Sequence, residues 1–512
     1  MACERRVVWL GVPTLLWVKS VLLALVGAVV SVLAFPPYGP GWLIFFGICL
    51  FLMSIRDVES RKQGLLVSAI YGVVFFGGLM WWLAELELIA LILVPLQAAF
   101  LAAYGWWLAR YNERSSGVWL TLAVGGWAVM ELIRYHYPVG GLEWGAAGYA
   151  LSDHAWTRFP AAWVGVSGLT LLVVLIAALL AQIGTRNFGG GAMIGGPAVL
   201  LLIAGAFVLV PLSPRTLAAQ PFSVVQGSTP CPFEHCPPNE RLRTYQQHLT
   251  LTKRIRADEV GLVVWAEGST GSFNADPVRN DEIGAAIGAE AERIGAWFVV
   301  GSDRPVSDTE WINTNVIFDS DGNYVGEYRK QHPVPFGEYI PLRPLFDWIP
   351  ALDRVPRDMI PGGGPAVFEL PGYVLGSVIS FEGGFSRYTL ETRRAGAQVI
   401  VVATNEASYG PDAATSDQFI GMTRMRAVEL GVPIIHAAVT GKSTVIGPDG
   451  DVGDTTALGA QEVLSSSFGG ASDTPFTVIG NSIMYLAALL CLLTWWRSKL
   501  LVGSDDHILE EE

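Results

Sequence analysis

Long uncharged hydrophobic runs fill the first part of the chain, and one more follows near its end. A helix needs about 20 apolar residues to cross a bilayer, and most of the runs approach that length. The pattern predicts an α-helical membrane bundle of eight spans, at residues 7–35, 41–55, 64–84, 88–108, 117–132, 159–183, 191–212 and 476–496. The second of these runs is short, and the fifth is bounded by Glu131 and Arg134.

Basic residues occur in alternate connections between the predicted spans. They are Arg5, Arg6, Arg56, Arg61, Lys62, Arg110, Arg114, Arg186, Arg497 and Lys499. The loop "FPPYGPG" and the turn Glu85–Glu87 contain no Lys or Arg. Because Lys and Arg keep connecting loops in the cytoplasm, both termini are expected there. The large segment between the seventh and eighth spans then lies outside the cytoplasmic membrane.

That segment has the pattern of a water-soluble domain. Short apolar runs predict strands, and they alternate with helical patterns such as 245–258, 281–294 and 418–430. Two hairpins are expected to turn at Asp321–Gly322 and at Asp449–Gly450. Strands that alternate with helices indicate a layered α/β domain.

The predicted organisation has four parts. An N-terminal bundle of seven spans covers residues 1–215, and the extracytoplasmic domain covers 220–475. A C-terminal membrane helix at 476–497 and an acidic cytoplasmic tail at 498–512 follow.

Composition agrees with a membrane protein. Charged residues make up 15% of the chain, against about 25% in average soluble domains. The formal net charge of −13 argues against a nucleic-acid partner. Cys231 and Cys236 lie in the outer segment, where a disulfide persists, and the sequence leaves a disulfide and two free thiols equally open. His235 alone does not complete a zinc site, and no cofactor motif stands out, so we expect no metal and no cofactor.

Three polar residues of the outer domain stand out by their context at the ends of predicted strands. Glu267 ends "VGLVVWAE", Lys330 ends "GEYRK", and Ser380 follows the run Val374–Ile379 in "GSVISFEGGF". Taken singly, they are a helix cap, a solvated lysine and a turn serine. A displayed side chain after a buried strand is also where α/β enzymes hold a nucleophile.

Together, the three residues resemble the Glu-Lys-Cys triad of the nitrilase superfamily in order and spacing. The segments "WAEGST", "YRKQHPVPFGEYIP" and "SFEGGF" are similar to motifs of the apolipoprotein N-acyltransferase family, its membrane-bound branch. "LAFPPYG", "GLEWG" and "GVSGLTLLVV" resemble that family's bundle. The resemblance covers nearly the whole chain, and it implies a nitrilase-like αββα sandwich outside the membrane.

The resemblance also implies a reaction and a set of roles. A phospholipid acyl chain passes to the enzyme, and then to the α-amino group of the diacylglyceryl-cysteine that begins a lipoprotein. Glu267 would take the nucleophile's proton, and Lys330 would stabilise the oxyanion. Glu338 and Glu382 would support the lysine and the nucleophile loop, and Asn405 is a further supporting position.

The nucleophile position departs from the family. Ser380 stands where the family has Cys, and a hydroxyl is a much weaker acid than a thiol of pKa about 8.5. A Ser–Lys pair is an alternative way to deprotonate Ser380: Lys330 could act as the base if burial lowered its pKa. A smaller departure is Glu406, where the family usually has Asp.

Three functions stay open at this point. The first is an N-acyltransferase. The second is an inactive relative that binds lipid or lipoprotein, or that serves as a membrane platform for a partner enzyme such as a polyprenol-phosphate mannosyltransferase. The third is an amidase of the wider superfamily, which the membrane bundle disfavours because a soluble substrate needs no bundle.

Overall fold

Helices form the first part of the molecule. A computed structural model describes residues 11–86, 88–184, 213–215, 217–232, 240–346 and 348–508. The helices up to residue 184 are α1 (Gly11–Leu33), α2 (Leu43–Arg56), α3 (Arg61–Leu79), α4 (Leu83–Leu86), α5 (Leu93–Leu108), α6 (Ser116–Arg134), α7 (Ala155–Arg158) and α8 (Ala161–Gly184).

Five helical segments of the described residues are long and apolar enough to cross a membrane: Leu15–Leu33, Arg61–Leu79, Ala90–Tyr111, Ser116–Arg134 and Ala161–Ile183. Helix α2 is apolar, but it has only 14 residues. The predicted span 191–212 lies outside the described residues. The helical membrane region is therefore confirmed, whereas its count of eight spans stays a prediction.

The domain outside the helical bundle, residues 213–473 and called the outer domain below for its place relative to the bundle, contains two β-sheets. Its strands are β1 (Ser213–Arg215), β2 (Gln220–Gln226), β3 (Leu262–Trp265), β4 (Trp297–Pro305), β5 (Glu310–Phe318), β6 (Tyr324–Arg329), β7 (Asp358–Met359), β8 (Val367–Leu370), β9 (Tyr373–Ile379), β10 (Val399–Thr404), β11 (Ile434–Ala438), β12 (Thr444–Ile446), β13 (Val452–Thr455), β14 (Glu462–Phe468) and β15 (Ala471–Asp473). One sheet has the order β13-β12-β11-β10-β9-β8, and the other has the order β14-β2-β3-β4-β5-β6. Strand β7 pairs with β5, and β1 pairs with β15.

Helices cover the outer faces of both sheets. They are α9 (Leu242–Thr252), α10 (Asp281–Ile294), α11 (Ser386–Arg394) and α12 (Ala414–Leu430). The faces between the sheets share one apolar core, in which Val264 of β3 packs with Val401 of β10. Ile287 of α10 packs in a second cluster with β4. These four layers confirm the predicted nitrilase-like αββα sandwich.

The sandwich rests directly on the membrane bundle. Phe419 and Met425 of α12 belong to the same buried cluster as Leu169 and Val173 of α8. Because one apolar cluster includes both parts, the helix layer of the outer domain is shared with the bundle.

The last predicted span is two helices in the structure. Helix α13 (Pro475–Ile479) ends at Gly480, whose φ of 54° glycine adopts without strain, and α14 (Ser482–Ile508) follows. Helix α14 covers most of the membrane helix predicted at 476–497 and continues into the segment predicted as a tail, and the predicted domain bounds stay a prediction. Helix α14 packs closely on α6, since a Cβ on Gly125 would lie 2.5 Å from the Cβ of Cys491.

The sheet carrying β3 and β4 leaves no room for a side chain at Gly301. A Cβ there would lie 2.1 Å from the Ala266 carbonyl oxygen. We expect Gly301→Ala to destabilise the protein by roughly 1–3 kcal/mol, because overpacking forces the neighbouring strand to move. Thermal unfolding in detergent measures this. Gly363→Ala is the control, because nothing lies within 4 Å of its added Cβ. Equal melting temperatures for the two variants would contradict the prediction.

Candidate active site

The candidate residues lie just beyond the ends of four strands. Glu267 follows β3, Lys330 follows β6, Ser380 follows β9, and Asn405 follows β10. Strands β9 and β10 are parallel and adjacent, so their carboxyl ends meet at one edge of their sheet. A hydrogen bond from the Asn405 amide to Glu267 Oε2, 2.9 Å long, joins this edge to the other sheet.

Lys330 is buried between two glutamates. Its Nζ lies 3.1 Å from Glu267 Oε1 and 2.6 Å from Glu338 Oε1. Only 1% of the lysine side chain is exposed. The second oxygen of Glu338 accepts a hydrogen bond from the Val334 amide at 2.7 Å. The aromatic loop after Lys330 is thus fastened to the lysine through Glu338.

Asn313 is a site residue that the sequence analysis missed. Its Nδ2 donates a 2.7 Å hydrogen bond to Glu267 Oε1. Asn313 lies on β5, and Asn315 on the same face donates to Ser377 Oγ of the other sheet at 2.7 Å. The sequence did contain a signal for this role: two asparagines lie on one face of an apolar strand, and buried side-chain amides need hydrogen-bond partners.

Lys330, on one side, and the carboxylates of Glu267 and Glu338, on the other, stabilise one another's charged forms. Burial raises the pKa of Glu267, and Lys330 opposes that rise. Burial alone would lower the pKa of Lys330, but Glu267 and Glu338 outweigh burial and raise it. A lysine base would need a lowered pKa, so this shift argues against Lys330 as the base of a Ser–Lys pair. Lys330 is instead a fixed cation beside a carboxylate that binds protons more readily than usual.

Ser380 occupies a strained turn. Its φ is 53°, in the left-handed region that non-glycine residues rarely adopt, and it begins the 3-10 turn Ser380–Gly384. Strained strand-to-helix turns of this kind display nucleophiles in α/β enzymes. Among the described residues its hydroxyl has no hydrogen-bond partner. The Ser380 turn is joined to the segment after Lys330 through Glu382, but no hydrogen bond links Ser380 to Glu267 or Lys330 among the described residues.

Glu382 joins the Ser380 turn to the lysine segment. Its Oε2 accepts hydrogen bonds from the Ile379 amide at 2.8 Å and the Tyr328 hydroxyl at 2.7 Å. Its Oε1 accepts from the Gln331 amide at 2.5 Å and the His332 amide at 2.9 Å. Burial raises the pKa of Glu382 to about 7, although these donors favour the ionised form.

The unusual Glu406 has room for its longer side chain. Its carboxylate contacts the Ser416 hydroxyl, and its Oε1 lies 3.8 Å from His436 Nε2. A Cβ on Gly441 would lie 2.3 Å from Glu406 Oε2, so the absence of a side chain at Gly441 makes space for the additional methylene. Glu406 thereby ties the Asn405 segment to the start of α12.

One cysteine of the outer domain, Cys231, lies among the described residues. Cys231 is disulfide-bonded, whereas Cys236 lies outside the described residues, so a bond between these two cysteines stays one of the two alternatives that the sequence leaves open. In the part of the chain that the structure describes, no three His, Cys, Asp or Glu side chains are grouped to hold a metal ion.

Two family models match the two parts of the chain. The model for the apolipoprotein N-acyltransferase N-terminal domain matches residues 27–179, and the model for carbon-nitrogen hydrolase matches residues 223–466. The chain belongs to the apolipoprotein N-acyltransferase family. The protein is a membrane-bound acyltransferase, and its outer domain belongs to the nitrilase superfamily.

Apolipoprotein N-acyltransferases of several bacteria align with this chain over most of its length. The apolipoprotein N-acyltransferase of Geobacter metallireducens is 26% identical over 472 residues, which are 87% of this chain and 89% of that protein. That of Rhodopseudomonas palustris is 28% identical over 527 residues, covering 94% and 96%. Among solved structures, an amidase from Nesterenkonia sp. is 16% identical and covers 50% of this chain and 91% of its own, with a TM-score of 0.38.

Removal of the Glu382 carboxylate tests how the turn is held. We expect Glu382→Ala to destabilise the protein by roughly 4 kcal/mol or more, because four donors lose their acceptor and each such loss costs about 1–3 kcal/mol at a buried site. Hydrogen exchange at the Ile379, Gln331 and His332 amides should accelerate.

The matched control is Glu369→Ala, because Glu369 is an exposed glutamate in the same sheet as β9. Unchanged exchange at all three amides in Glu382→Ala would show that the carboxylate does not hold the turn.

Proposed function

We propose that this protein is an apolipoprotein N-acyltransferase that uses Ser380 as its acyl-accepting group. The acyl chain comes from a phospholipid, and it passes to the α-amino group of a lipoprotein's N-terminal diacylglyceryl-cysteine. The observation that carries the proposal is the buried Glu267–Lys330–Glu338 cluster beside the strained Ser380 turn. The domain that holds this cluster packs directly on the apolar bundle, as lipid substrates require.

The first step forms an ester on the enzyme. Glu267 takes the Ser380 proton as Oγ attacks the donor's carbonyl carbon, and the Lys330 ammonium stabilises the resulting oxyanion. The intermediate collapses with cleavage of the donor's ester bond. Glu267 returns the proton to the leaving lysophospholipid oxygen.

The second step transfers the acyl chain to nitrogen. The neutral α-amine of the acceptor attacks the Ser380 ester, and Glu267 accepts a proton from the amine. Collapse of this intermediate breaks the bond between the acyl carbon and Oγ, and Glu267 returns the proton to Oγ. The membrane holds both lipid substrates at one depth, which replaces a three-dimensional search by a two-dimensional one.

The topology belongs to the same proposal. Arg and Lys in alternate connections support cytoplasmic termini and an extracytoplasmic catalytic domain in the bacterial cytoplasmic membrane. Association with a polyprenol-phosphate mannosyltransferase stays a prediction from the sequence.

A second candidate is an inactive relative that binds lipid or lipoprotein. The observation that favours it is the Ser380 hydroxyl, which has no hydrogen bond to Glu267 or Lys330 among the described residues. A serine hydroxyl is also a far weaker acid than the thiol of the family's cysteine, so a carboxylate base deprotonates it less readily.

Intact-mass spectrometry after incubation with phospholipid separates the two candidates. We expect an acyl adduct on the native protein, a faster-forming adduct on Ser380→Cys because a thiol ionises more readily, and none on Ser380→Ala. An adduct on Ser380→Cys alone would support the inactive relative. An equal adduct on Ser380→Ala would place the acyl group elsewhere.

The rate of adduct formation should depend on pH through Glu267. As a base, Glu267 must be ionised, and its pKa lies above the ordinary 4.5. The rate is therefore expected to rise with pH through a limb above pH 4.5. The pKa of Lys330 is also raised, so deprotonation of the lysine adds no alkaline fall near neutral pH. A Glu267→Gln variant should lose the rate at every pH, and an acid limb at or below 4.5 would contradict this assignment.

A further inference from the structure

The bundle reaches the Ser380 turn directly. The Tyr149 hydroxyl donates a 2.6 Å hydrogen bond to the Gly384 carbonyl oxygen. The Ser386 amide donates a 3.2 Å hydrogen bond to Glu143 Oε2. Both bundle residues come from the segment between α6 and α8, and both are buried. The turn is thus fastened on one side by Glu382 of its own domain, and on the other by the bundle.

We propose that Tyr149 and Glu143 are positioning residues for the Ser380 turn, so that the membrane bundle forms part of the catalytic apparatus. This inference rests on the proposed function, and it assigns to the bundle a role beyond anchoring. Neither residue contacts the acyl-accepting hydroxyl, so both would act through the backbone of the turn.

The proton of Tyr149 is committed to the turn. The Gly384 oxygen lies 2.6 Å from the tyrosine oxygen, whereas Glu143 Oε2 lies 3.4 Å away. Arg426 Nη2 donates to the same tyrosine oxygen at 3.0 Å, which occupies a lone pair. A hydroxyl has a single proton, so the shorter bond to Gly384 takes it.

Buried ion pairs hold both positioning groups in place. Arg426 pairs with Glu429 at 2.8 Å, and Glu429 Oε1 accepts the Val166 amide of α8 at 2.5 Å. Arg134 fixes the other segment, because it pairs with Glu131 and donates to the carbonyl oxygens on both sides of Glu143. These are the oxygens of Leu142 at 3.0 Å and Trp144 at 2.8 Å.

The turn needs external bonds because it is strained and has no side chains of its own in its second half. A φ of 53° at Ser380 persists only where the surroundings determine it. Gly383 and Gly384 pack tightly, since a Cβ on each would lie 2.5 Å from Val402 and 2.7 Å from Met422. Without Tyr149, the buried Gly384 carbonyl would lose its bond and the turn one of its fixed points.

Tyr149→Phe removes that bond and keeps the ring. Tyr104→Phe is the matched control, because the Tyr104 hydroxyl also donates from a buried bundle tyrosine to a backbone oxygen, that of Ala123 at 2.9 Å. We expect Tyr149→Phe to slow acyl-enzyme formation at saturating phospholipid by roughly tenfold relative to Tyr104→Phe. The phospholipid concentration for half-maximal rate and the melting temperature should match those of the control. Equal rates in the two variants would overturn the proposal.

Glu143 provides an independent arm. Glu143→Gln keeps an oxygen that accepts the Ser386 amide, so its rate should stay close to the native rate. Glu143→Ala loses the acceptor and should be slowed as Tyr149→Phe is. If Glu143→Gln and Glu143→Ala are slowed equally, the charge rather than the hydrogen bond matters, and the positioning role of Glu143 is wrong.

The same variants in a Ser380→Cys background separate this proposal from the proposed function. Alkylation of that thiol by iodoacetamide, read by peptide mass mapping, reports its orientation without any lipid chemistry. If no protein forms an acyl-enzyme but Tyr149→Phe still changes the alkylation rate and Tyr104→Phe does not, the acyltransferase proposal fails and the positioning role stands. If the alkylation rate is the same with both, the positioning role fails.

Discussion

A buried ammonium group is the constraint on which the site depends. Lys330 is almost completely removed from water, and a buried charge is tolerated only when it is paired and hydrogen-bonded. Glu267 and Glu338 provide the pairing. Each carboxylate is in turn held by backbone or amide donors: Asn313 and Asn405 hold Glu267, and Val334 holds Glu338. One lysine therefore determines where two loops and the ends of three strands must lie.

The bundle and the outer domain meet through directional contacts as well as apolar ones. Gln418 of α12 accepts hydrogen bonds from the indoles of Trp82 and Trp144 at 3.4 and 2.8 Å, and it donates to the Leu79 carbonyl at 3.0 Å. Apolar packing alone would permit one helix layer to slide on another, because the hydrophobic effect is non-directional. Shared amide and indole hydrogen bonds fix the register of α12 on the bundle. Since Glu406 is bonded to Ser416 near the start of α12, the same register reaches the Asn405 segment.

Local signals explain which parts of the fold could be predicted. The helix predicted at 281–294 has those bounds, since Asn280 caps its first turn and Gly295 ends it in a left-handed conformation. The helix predicted at 245–258 instead occupies Leu242–Thr252, because no comparable cap marked its ends. Glu267, Lys330 and Ser380 were identified because each lies at the end of a predicted strand and the three together resemble the Glu-Lys-Cys triad in order and spacing. Asn313, Glu143 and Tyr149 were missed because their partners are 46 to 243 positions away, a separation that periodicity does not encode.

The strained backbone of Ser380 is an argument on whether this serine is a working nucleophile or a remnant in an inactive relative. A left-handed non-glycine residue costs on the order of 1–3 kcal/mol, and a buried lysine between carboxylates adds a desolvation cost. A protein that only binds lipid gains nothing from either feature, since apolar contact is sufficient for lipid. Both features would serve the proposed acyl transfer: the turn would display Oγ to the donor, and the Lys330 ammonium would stabilise the negative charge that develops on the oxyanion. Burial raises the pKa of Glu267, and this reduces the difference between the pKa of the base and that of the Ser380 hydroxyl. These costs and gains together support catalysis at Ser380, with a slower acylation step than a thiol would allow.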